Sequence, residues 1–255
     1  MNINFPERPN NSDTGENVLL AGPGSQNPTR DALIVETIIS GNVPYFMHTM
    51  HEVDMSGKSK DGTSHLFQIW ASHDYLCIGQ DDTTEGRPGF VRTPLGGPAA
   101  QKIANFFSCT LPTRKMVNAI WNSSDCQLAP QPWGPPFDAS MLSTRRVIDH
   151  NARIEAARAG VPGMVAGHKK DVILTNLLRP GRVAIYGWHK PDGSPIQGVN
   201  AVSHESTYAD YSHGIRLISL TCVLDGQEHN IHDVMQDSNL CELVTDLGPA
   251  KVLGY

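Results

Sequence analysis

The chain has 255 residues, a formal net charge of −6 at pH 7, 39% apolar residues and 18% charged residues. This composition predicts a folded globular protein, and the acidic balance argues against a nucleic-acid partner, which selects a basic face. No apolar run approaches the roughly 18 residues of a membrane span, so we predict a soluble protein.

The N-terminus has neither the basic segment nor the apolar segment of a secretory signal. The default prediction is a cytoplasmic location, or an exported protein if a leader has been removed. The five cysteines lie far apart without a CxxC pair, which excludes a zinc ribbon or a thioredoxin motif and favours a reducing compartment.

The first predicted element is a flexible arm, or an extension wrapped on the domain, over the Asn-, Pro-, Gly- and Ser-rich residues 1–28. One domain is predicted to follow at 29–255, beginning with a helix at 29–41 that ends at a glycine. Two strands and a loop come next, at 64–72, 74–80 and 79–89.

The middle of the chain is predicted to be helical, because apolar residues between 97 and 160 recur at spacings of three and four. A proline-rich segment, LAPQPWGPPFD, interrupts this layer and predicts a surface loop. The predicted helices cover 97–112, 113–124 and 143–160.

From residue 168 onward the pattern changes to strands, predicted at 169–178, 182–188 and 214–226, with one or two helices closing the chain. The short RPG segment between the first two predicts a hairpin. Strands, then helices, then strands indicate the α+β class, an antiparallel sheet with a helical layer inserted in the middle of the chain.

Ionisable side chains concentrate between residues 168 and 216, at predicted strand ends and in the connecting loops. His213 is the best candidate for a general acid or base, since imidazole titrates near neutral pH. Asp210 is predicted to orient its ring, and Gly214 to leave room for substrate. Arg216 and Tyr208 are predicted to bind negative charge. The alternative is that Tyr208, Asp210 and Arg216 form a buried polar network that holds a loop.

The segment YGWH adds His189 as a second catalytic candidate. Strand alternation predicts Tyr186 and Trp188 on one face, as an aromatic surface that binds substrate, and His189 on the other. Lys169, in KKD, is a further candidate for substrate binding; the alternative is a solvated strand end.

Two other chemistries stay open. His189, His204, His213 and Asp210 are a possible zinc set, although none has the HExxH spacing, so we expect no cofactor, with zinc as the alternative. Cys109 lies near a predicted helix start, where a thiol pKa is lowered, and is a possible nucleophile.

Two resemblances rest on these strings. SHGIRL resembles the SHGCIRL signature of the L,D-transpeptidases, but the nucleophilic cysteine is missing between Gly214 and Ile215, and Tyr186 stands at the position of a histidine. More broadly, LPTRKMV, GHKKDV, YGWH and YADYSHGIRL resemble a family of uncharacterised bacterial proteins, many of them exported. That resemblance implies a shared fold and site and no particular reaction.

These observations predict a hydrolase or transferase that acts on a small molecule, peptide, glycan or ester by His/Asp acid–base chemistry. A carbohydrate- or peptide-binding module associated with the cell envelope and a zinc-dependent hydrolase are the alternatives. Because strand ends in one sheet lie close together, Lys169, His189 and His213 are predicted to share one pocket.

Overall fold

The computed structural model describes residues 1–84 and 87–255. In these ranges the α-helices are α1 (Gly15–Ala21), α2 (Pro28–Ile39), α3 (Gly97–Phe106), α4 (Arg114–Ser123), α5 (Thr144–Arg158) and α6 (Ile231–Gln236). Short 3-10 helices cover Tyr45–His48, Ala139–Leu142 and Leu240–Leu243. None of the helices in the described ranges has the length and apolarity needed to span a bilayer.

The strands are short. In chain order they are β1 (Met50–Asp54), β2 (Gly57–Lys58), β3 (Ser64–His65), β4 (Phe67–Ser72), β5 (Cys77–Thr84), β6 (Arg87–Arg92), β7 (Cys109–Thr110), β8 (Cys126–Gln127), β9 (Val165–Ala166), β10 (Lys170–Val172), β11 (Ile185–His189), β12 (Pro195–Asn200), β13 (His213–Gly214), β14 (Ile218–Ser219), β15 (Thr221–Leu224) and β16 (Gln227–Asn230).

Two sheets organise the molecule. The larger one is antiparallel and has the order β16-β15-β4-β14-β7, with β1 paired to β4. The smaller one has the order β12-β11-β10-β13, in which β13 runs parallel to β10 and the other pairs are antiparallel. The structure confirms the α+β class.

The helical middle supplies the layer that covers these sheets. Helix α4 begins because the Thr113 hydroxyl accepts a hydrogen bond from the backbone N–H of Met116. Its apolar face, formed by Met116, Val117, Ile120 and Trp121, is buried. One connected apolar core runs from Ile3 to Val244, so burial of apolar area stabilises both sheets together.

The N-terminal residues are not a flexible arm. Ile3, Phe5 and Leu19 are buried, and Phe5 packs against Phe107 with ring centroids 4.4 Å apart. Thr14 caps α1 by accepting from the backbone of Asn17. Residues 1–28 therefore form the wrapped extension, because the few apolar side chains among their polar residues are spaced to reach the core.

Three other predicted elements differ. The loop at 79–89 is largely the β5–β6 hairpin, with residues 85 and 86 outside the described ranges. The single strand at 214–226 is divided among β13, β14 and β15, which belong to two sheets. The connection between β10 and β11 is longer than the predicted RPG hairpin, although the two strands pair antiparallel.

Candidate functional site

The small sheet brings the predicted site segments together. Lys170 pairs with His213 on one side of β10 and with Gly187 on the other. The backbone N–H of Trp188 donates to the carbonyl of Lys169 over 3.1 Å. The predicted adjacency of the three strands is therefore confirmed at the level of the backbone.

The side chains of Lys169, His189 and His213 nevertheless have different neighbours, and that they share one pocket stays a prediction. Successive residues of a strand point to opposite faces, so Lys170 and Asp171 reach different surroundings. We name two groups of residues on these two faces. The His213 site consists of Lys170, Trp188, His204, Tyr208, Asp210, Ser212 and His213. The Asp171 cavity consists of Tyr75, Trp121, Asp171, Gly187 and His189.

The floor of the His213 site is the His213 imidazole, which is fully buried. Neither of its ring nitrogens has a hydrogen-bond partner within the residues that the structure describes. The half-buried ring of Tyr208 meets it edge to face, with centroids 5.5 Å apart. Buried polar atoms are nearly always paired, so these two nitrogens are unusual, as are His150 Nε2 and Arg216 Nε among the described residues.

Asp210 is the acidic member of the His213 site and is held by three donors. The Ser212 backbone N–H and hydroxyl donate to Oδ1 over 2.8 and 2.5 Å, and the Tyr208 hydroxyl donates to Oδ2 over 3.2 Å. The buried polar network that was predicted as the alternative to a catalytic role is therefore present for Tyr208 and Asp210. Ser212, and not Arg216, is its third member.

The protonation states follow from burial and charge. Burial lowers the pKa of His213 to about 4, although the Asp210 carboxylate acts in the opposite direction. Burial of Asp210 would raise its pKa, but the charges of His213 and Lys170 and the Ser212 hydrogen bonds lower it to about 2. At neutral pH the site therefore contains a neutral imidazole beside a carboxylate.

Lys170 is the strand neighbour of His213, and Trp188 packs against Lys170. The Lys170 ammonium lies 5.0 Å from the centroid of the Trp188 ring. Trp188 reaches this position because its own φ of 58° and that of Gly187 at 102° are left-handed, which breaks strand alternation. The indole N–H of Trp188 is buried and lacks an acceptor among the described residues.

The same irregular backbone places Tyr186 and His189 together, which corrects the predicted pairing of Tyr186 with Trp188. The Tyr186 hydroxyl and the His189 Nε2–H both donate to the Asn118 side-chain oxygen, over 2.8 and 3.0 Å. The His189 ring stacks on Trp121 with centroids 5.3 Å apart. The predicted aromatic surface of Tyr186 and Trp188 is not formed.

The Asp171 cavity is small and enclosed. The Tyr75 hydroxyl donates to Asp171 Oδ2 over 2.8 Å, and burial raises the pKa of this carboxyl to about 7. A Cβ on Gly187 would lie 3.4 Å from both Asp171 Oδ2 and His189 Cε1. A side chain at this position would therefore contact both the carboxyl group and the imidazole.

Arg216 belongs to the core beside Tyr75. Its two terminal amino groups donate to the backbone carbonyls of Ser72 and Val165 over 2.8 and 2.6 Å, and its guanidinium lies 4.3 Å from the Tyr75 ring centroid. The arginine is fully buried. It holds strands together, so its predicted role in binding substrate has no support from this placement.

Gly214 is required for packing and leaves no room for substrate, contrary to expectation. A Cβ at this position would lie 2.5 Å from Tyr75 Cδ1 and 2.7 Å from Lys169 Cβ. The backbone of β13 approaches β10 this closely only because the side chain is absent.

Lys169, predicted to bind substrate, is fully buried behind the His213 site. Its ammonium donates to the Tyr211 carbonyl over 2.6 Å and lies 3.2 Å from His150 Nδ1. Burial and the charge of Arg92 lower its pKa to about 7. The KKD string therefore sends its three side chains to three different places.

Neither the zinc site nor the cysteine nucleophile has a matching arrangement of side chains among the described residues. His189 lies in the Asp171 cavity and His204 and His213 in the other site, and no group of three metal-ligating side chains converges within residues 1–84 and 87–255. Cys109 lies buried in β7, where burial raises its pKa to about 12, opposite to the direction expected for a nucleophile.

A separate apolar depression with a volume of about 130 Å³ lies between α4, β12 and the C-terminal segment. Its lining includes Leu174, Val199 and Met235, and Arg114 pairs with Asp246 at its wall over 2.8 Å. No histidine or cysteine is among the residues that line this depression in the described part of the chain.

Sequence reasoning missed the contributions of Lys170, Ser212, Tyr75 and Trp121. Lys170 and Ser212 adjoin predicted residues, so the density of ionisable groups was a usable signal for them. Tyr75 and Trp121 come from distant segments, and their role depends on tertiary packing.

Comparison of the chain with protein-family models, with curated proteins and with solved structures gave no match.

Proposed function

We propose that this protein is a hydrolase or transferase in which His213 acts as the general base. The observation that carries the proposal is the buried His213 ring with two nitrogens that lack partners in the described structure, next to the Tyr208–Asp210–Ser212 network. A neutral imidazole can accept a proton at one nitrogen and donate from the other.

The reaction would proceed by proton transfer at His213. The imidazole accepts a proton from water, or from an acceptor hydroxyl, as that oxygen forms a bond to the acyl or glycosyl carbon. The bond to the leaving group breaks, and the proton passes from the imidazolium to the leaving group. Asp210 stabilises the transient imidazolium, and its three hydrogen bonds keep the carboxylate in place.

The substrate class that this arrangement supports is an ester, glycan or peptide with a planar or ring-shaped group. His204 and Tyr208 stack in parallel, with centroids 4.2 Å apart and an interplanar angle of 6°, and both are half-buried. A third ring, that of the buried Trp188, packs against the neighbouring Lys170 ammonium. Such ring faces suit stacking against a sugar or an aromatic group.

The experiment is a hydrolysis screen with nitrophenyl esters, nitrophenyl glycosides and peptide anilides. His213→Gln keeps a polar side chain but removes the base, and we expect its activity on a cleaved substrate to fall about 100-fold or more. His229→Gln is the matched control, because His229 is exposed on β16. Retention of full activity by a folded His213→Gln protein contradicts the proposal.

A second candidate, a binding module, is favoured by the His204–Tyr208 stack alone. It predicts that glycans or peptides bind and are recovered intact, and that His213→Gln binds them as tightly as the wild-type protein does.

A further inference from the structure

We propose that a cleft beside the N-terminal extension binds a neutral saccharide. The cleft has a volume of about 330 Å³ and lies between the N-terminal extension, the end of α3, β7 and the start of β15. That volume is within the range of about 300–1,000 Å³ that small-molecule sites occupy. The cleft shares no residue with the His213 site, so this inference is independent of the proposed function.

The first argument is the lack of charge in the cleft. None of the described residues that line it is an Asp, Glu, Lys, Arg or His. An ionic ligand would lose hydration on entering the cleft without gaining a counter-charge, which is unfavourable. The lining therefore favours a ligand without formal charge.

The second argument is the kind of polar group in the lining. Asn2, Asn4, Ser108 and Thr221 bring amides and hydroxyls to the cleft, and their side chains make no hydrogen bond within the described part of the chain. Amides and hydroxyls both donate and accept hydrogen bonds. A sugar hydroxyl does the same, so these side chains match the edge of a saccharide ring.

The third argument is an exposed aromatic ring in the same lining. Phe106 is 57% exposed, whereas phenylalanine is among the residues most often buried. Its ring meets that of Phe107 edge to face, with centroids 5.0 Å apart, and Phe107 in turn packs on Phe5. The exposed ring of Phe106 offers an apolar surface on which the C–H face of a sugar can stack.

The N-terminal extension is held so that its two asparagines line the cleft. The Ile3 N–H donates to the His48 carbonyl over 2.8 Å, and both Ile3 and Phe5 are buried. Because alternate residues of an extended segment point to opposite sides, Asn2 and Asn4 stay exposed. This side of the cleft is therefore anchored to the packed core.

Ser108 is positioned by an unusual backbone conformation. The chain turns from α3 into β7 at this residue, whose φ of 53° is left-handed. Its N–H donates to the Asn105 carbonyl over 3.3 Å, and its own carbonyl accepts from the Leu220 N–H over 3.2 Å. Glycine adopts this conformation at no steric cost, whereas serine keeps a hydroxyl on the cleft. Such strained positions are concentrated at functional sites.

The test is an NMR titration of the isotope-labelled protein with four neutral probes, glucose, galactose, mannose and N-acetylglucosamine, and with two charged analogues, glucuronate and glucosamine. Monosaccharides have no glycosidic bond that the protein could cleave. We expect at least one neutral probe to bind with a Kd of about 1 mM or tighter, and both charged analogues to bind at least about 10-fold more weakly than that probe. The inference is overturned if no neutral probe binds in that range, or if a charged analogue comes within the 10-fold margin.

Two variants and their matched controls locate the bound sugar. Phe106→Ala removes the exposed ring and Asn4→Ala removes one amide, so each should weaken binding about 5-fold or more. Phe137→Ala and Asn122→Ala, which change exposed residues outside the cleft, should leave the affinity unchanged. Unchanged affinity in a folded Phe106→Ala protein overturns the inference. A loss of affinity in His213→Gln also overturns it, because the sugar would then lie at the His213 site.

The two proposals fail separately. Sugar binding is measured without turnover, so its absence leaves the assignment of His213 as the base in place. An intact hydrolytic rate in His213→Gln overturns the proposed function and leaves the saccharide site in place.

Discussion

At the scale of single residues, the side chains of the site differ in whether their buried polar atoms have hydrogen-bond partners. His213 and Trp188 have buried polar atoms without partners among the described residues, whereas every terminal amino group of Arg216 is occupied by a backbone carbonyl. The sequence shows that ionisable residues cluster near a strand. It cannot show which of them face one another, because a change of backbone handedness at Gly187 and Trp188 redirects the side chains.

Gly214 provides a stability test at this scale. Gly214→Ala should lower the free energy of unfolding by about 1–3 kcal/mol, because the new Cβ would overlap Tyr75 and Lys169 in a packed region. Urea denaturation measures the change. Gly198→Ala is the control, since a Cβ on Gly198 meets nothing within 4 Å. Equal stability of the two variants would show that β13 does not approach β10 as described.

At the scale of elements, what could be predicted depends on how local the signals are. The helices of the middle segment follow from a 3.6-residue period and from caps such as Thr113, so α4 and α5 are where the sequence indicates them. Helix α3 begins as predicted but ends at Phe106, and strand β7 lies within the predicted range 97–112. The N-terminal extension and the strands after residue 195 depend on contacts with distant segments. Composition alone predicts the structure of these segments wrongly, because a polar segment packs on the core when only a few of its side chains are apolar.

Phe5 tests whether the N-terminal extension is part of the fold. Phe5→Ala should lower the free energy of unfolding by about 3 kcal/mol, because it removes a buried ring that packs on His48 and Phe107. Phe137→Ala is the matched control, with a ring that is 74% exposed, and should change stability by less than about 0.5 kcal/mol. Denaturant midpoints that agree for both variants would mean that residues 1–28 contribute nothing to the core.

At the scale of the whole molecule, buried ionisable groups make the fold sensitive to acid. Burial lowers the pKa values of His73, His168 and His213 to about 4. Between pH 6.5 and 4 the unfolded chain therefore binds protons at these positions that the folded protein does not bind, which favours unfolding. Asp171 acts in the opposite direction, since its pKa is raised to about 7 and the folded form gains a proton first.

Among the described residues the histidines with lowered pKa values, which also include His150, outnumber the carboxyl groups with raised pKa values, Asp31 and Asp171, so stability should fall as the pH is lowered from 6.5 to 4. Urea denaturation at pH 7.0, 5.5 and 4.5 measures this, with His229→Gln expected to behave like the wild-type protein because that histidine is exposed. Stability that is constant or greater at pH 4.5 would show that the three imidazoles are not held neutral by the fold.

The proposed function requires that His213 is neutral in the free protein and acts as the base. The pH dependence of kcat/KM tests this requirement most directly. On a substrate cleaved in the screen, kcat/KM reports the ionisation of the free protein. It should rise with pH through a midpoint near 4, the pKa of His213, and this rise should be absent from the residual activity of His213→Gln. The same midpoint in His213→Gln, at an undiminished rate, would contradict the account.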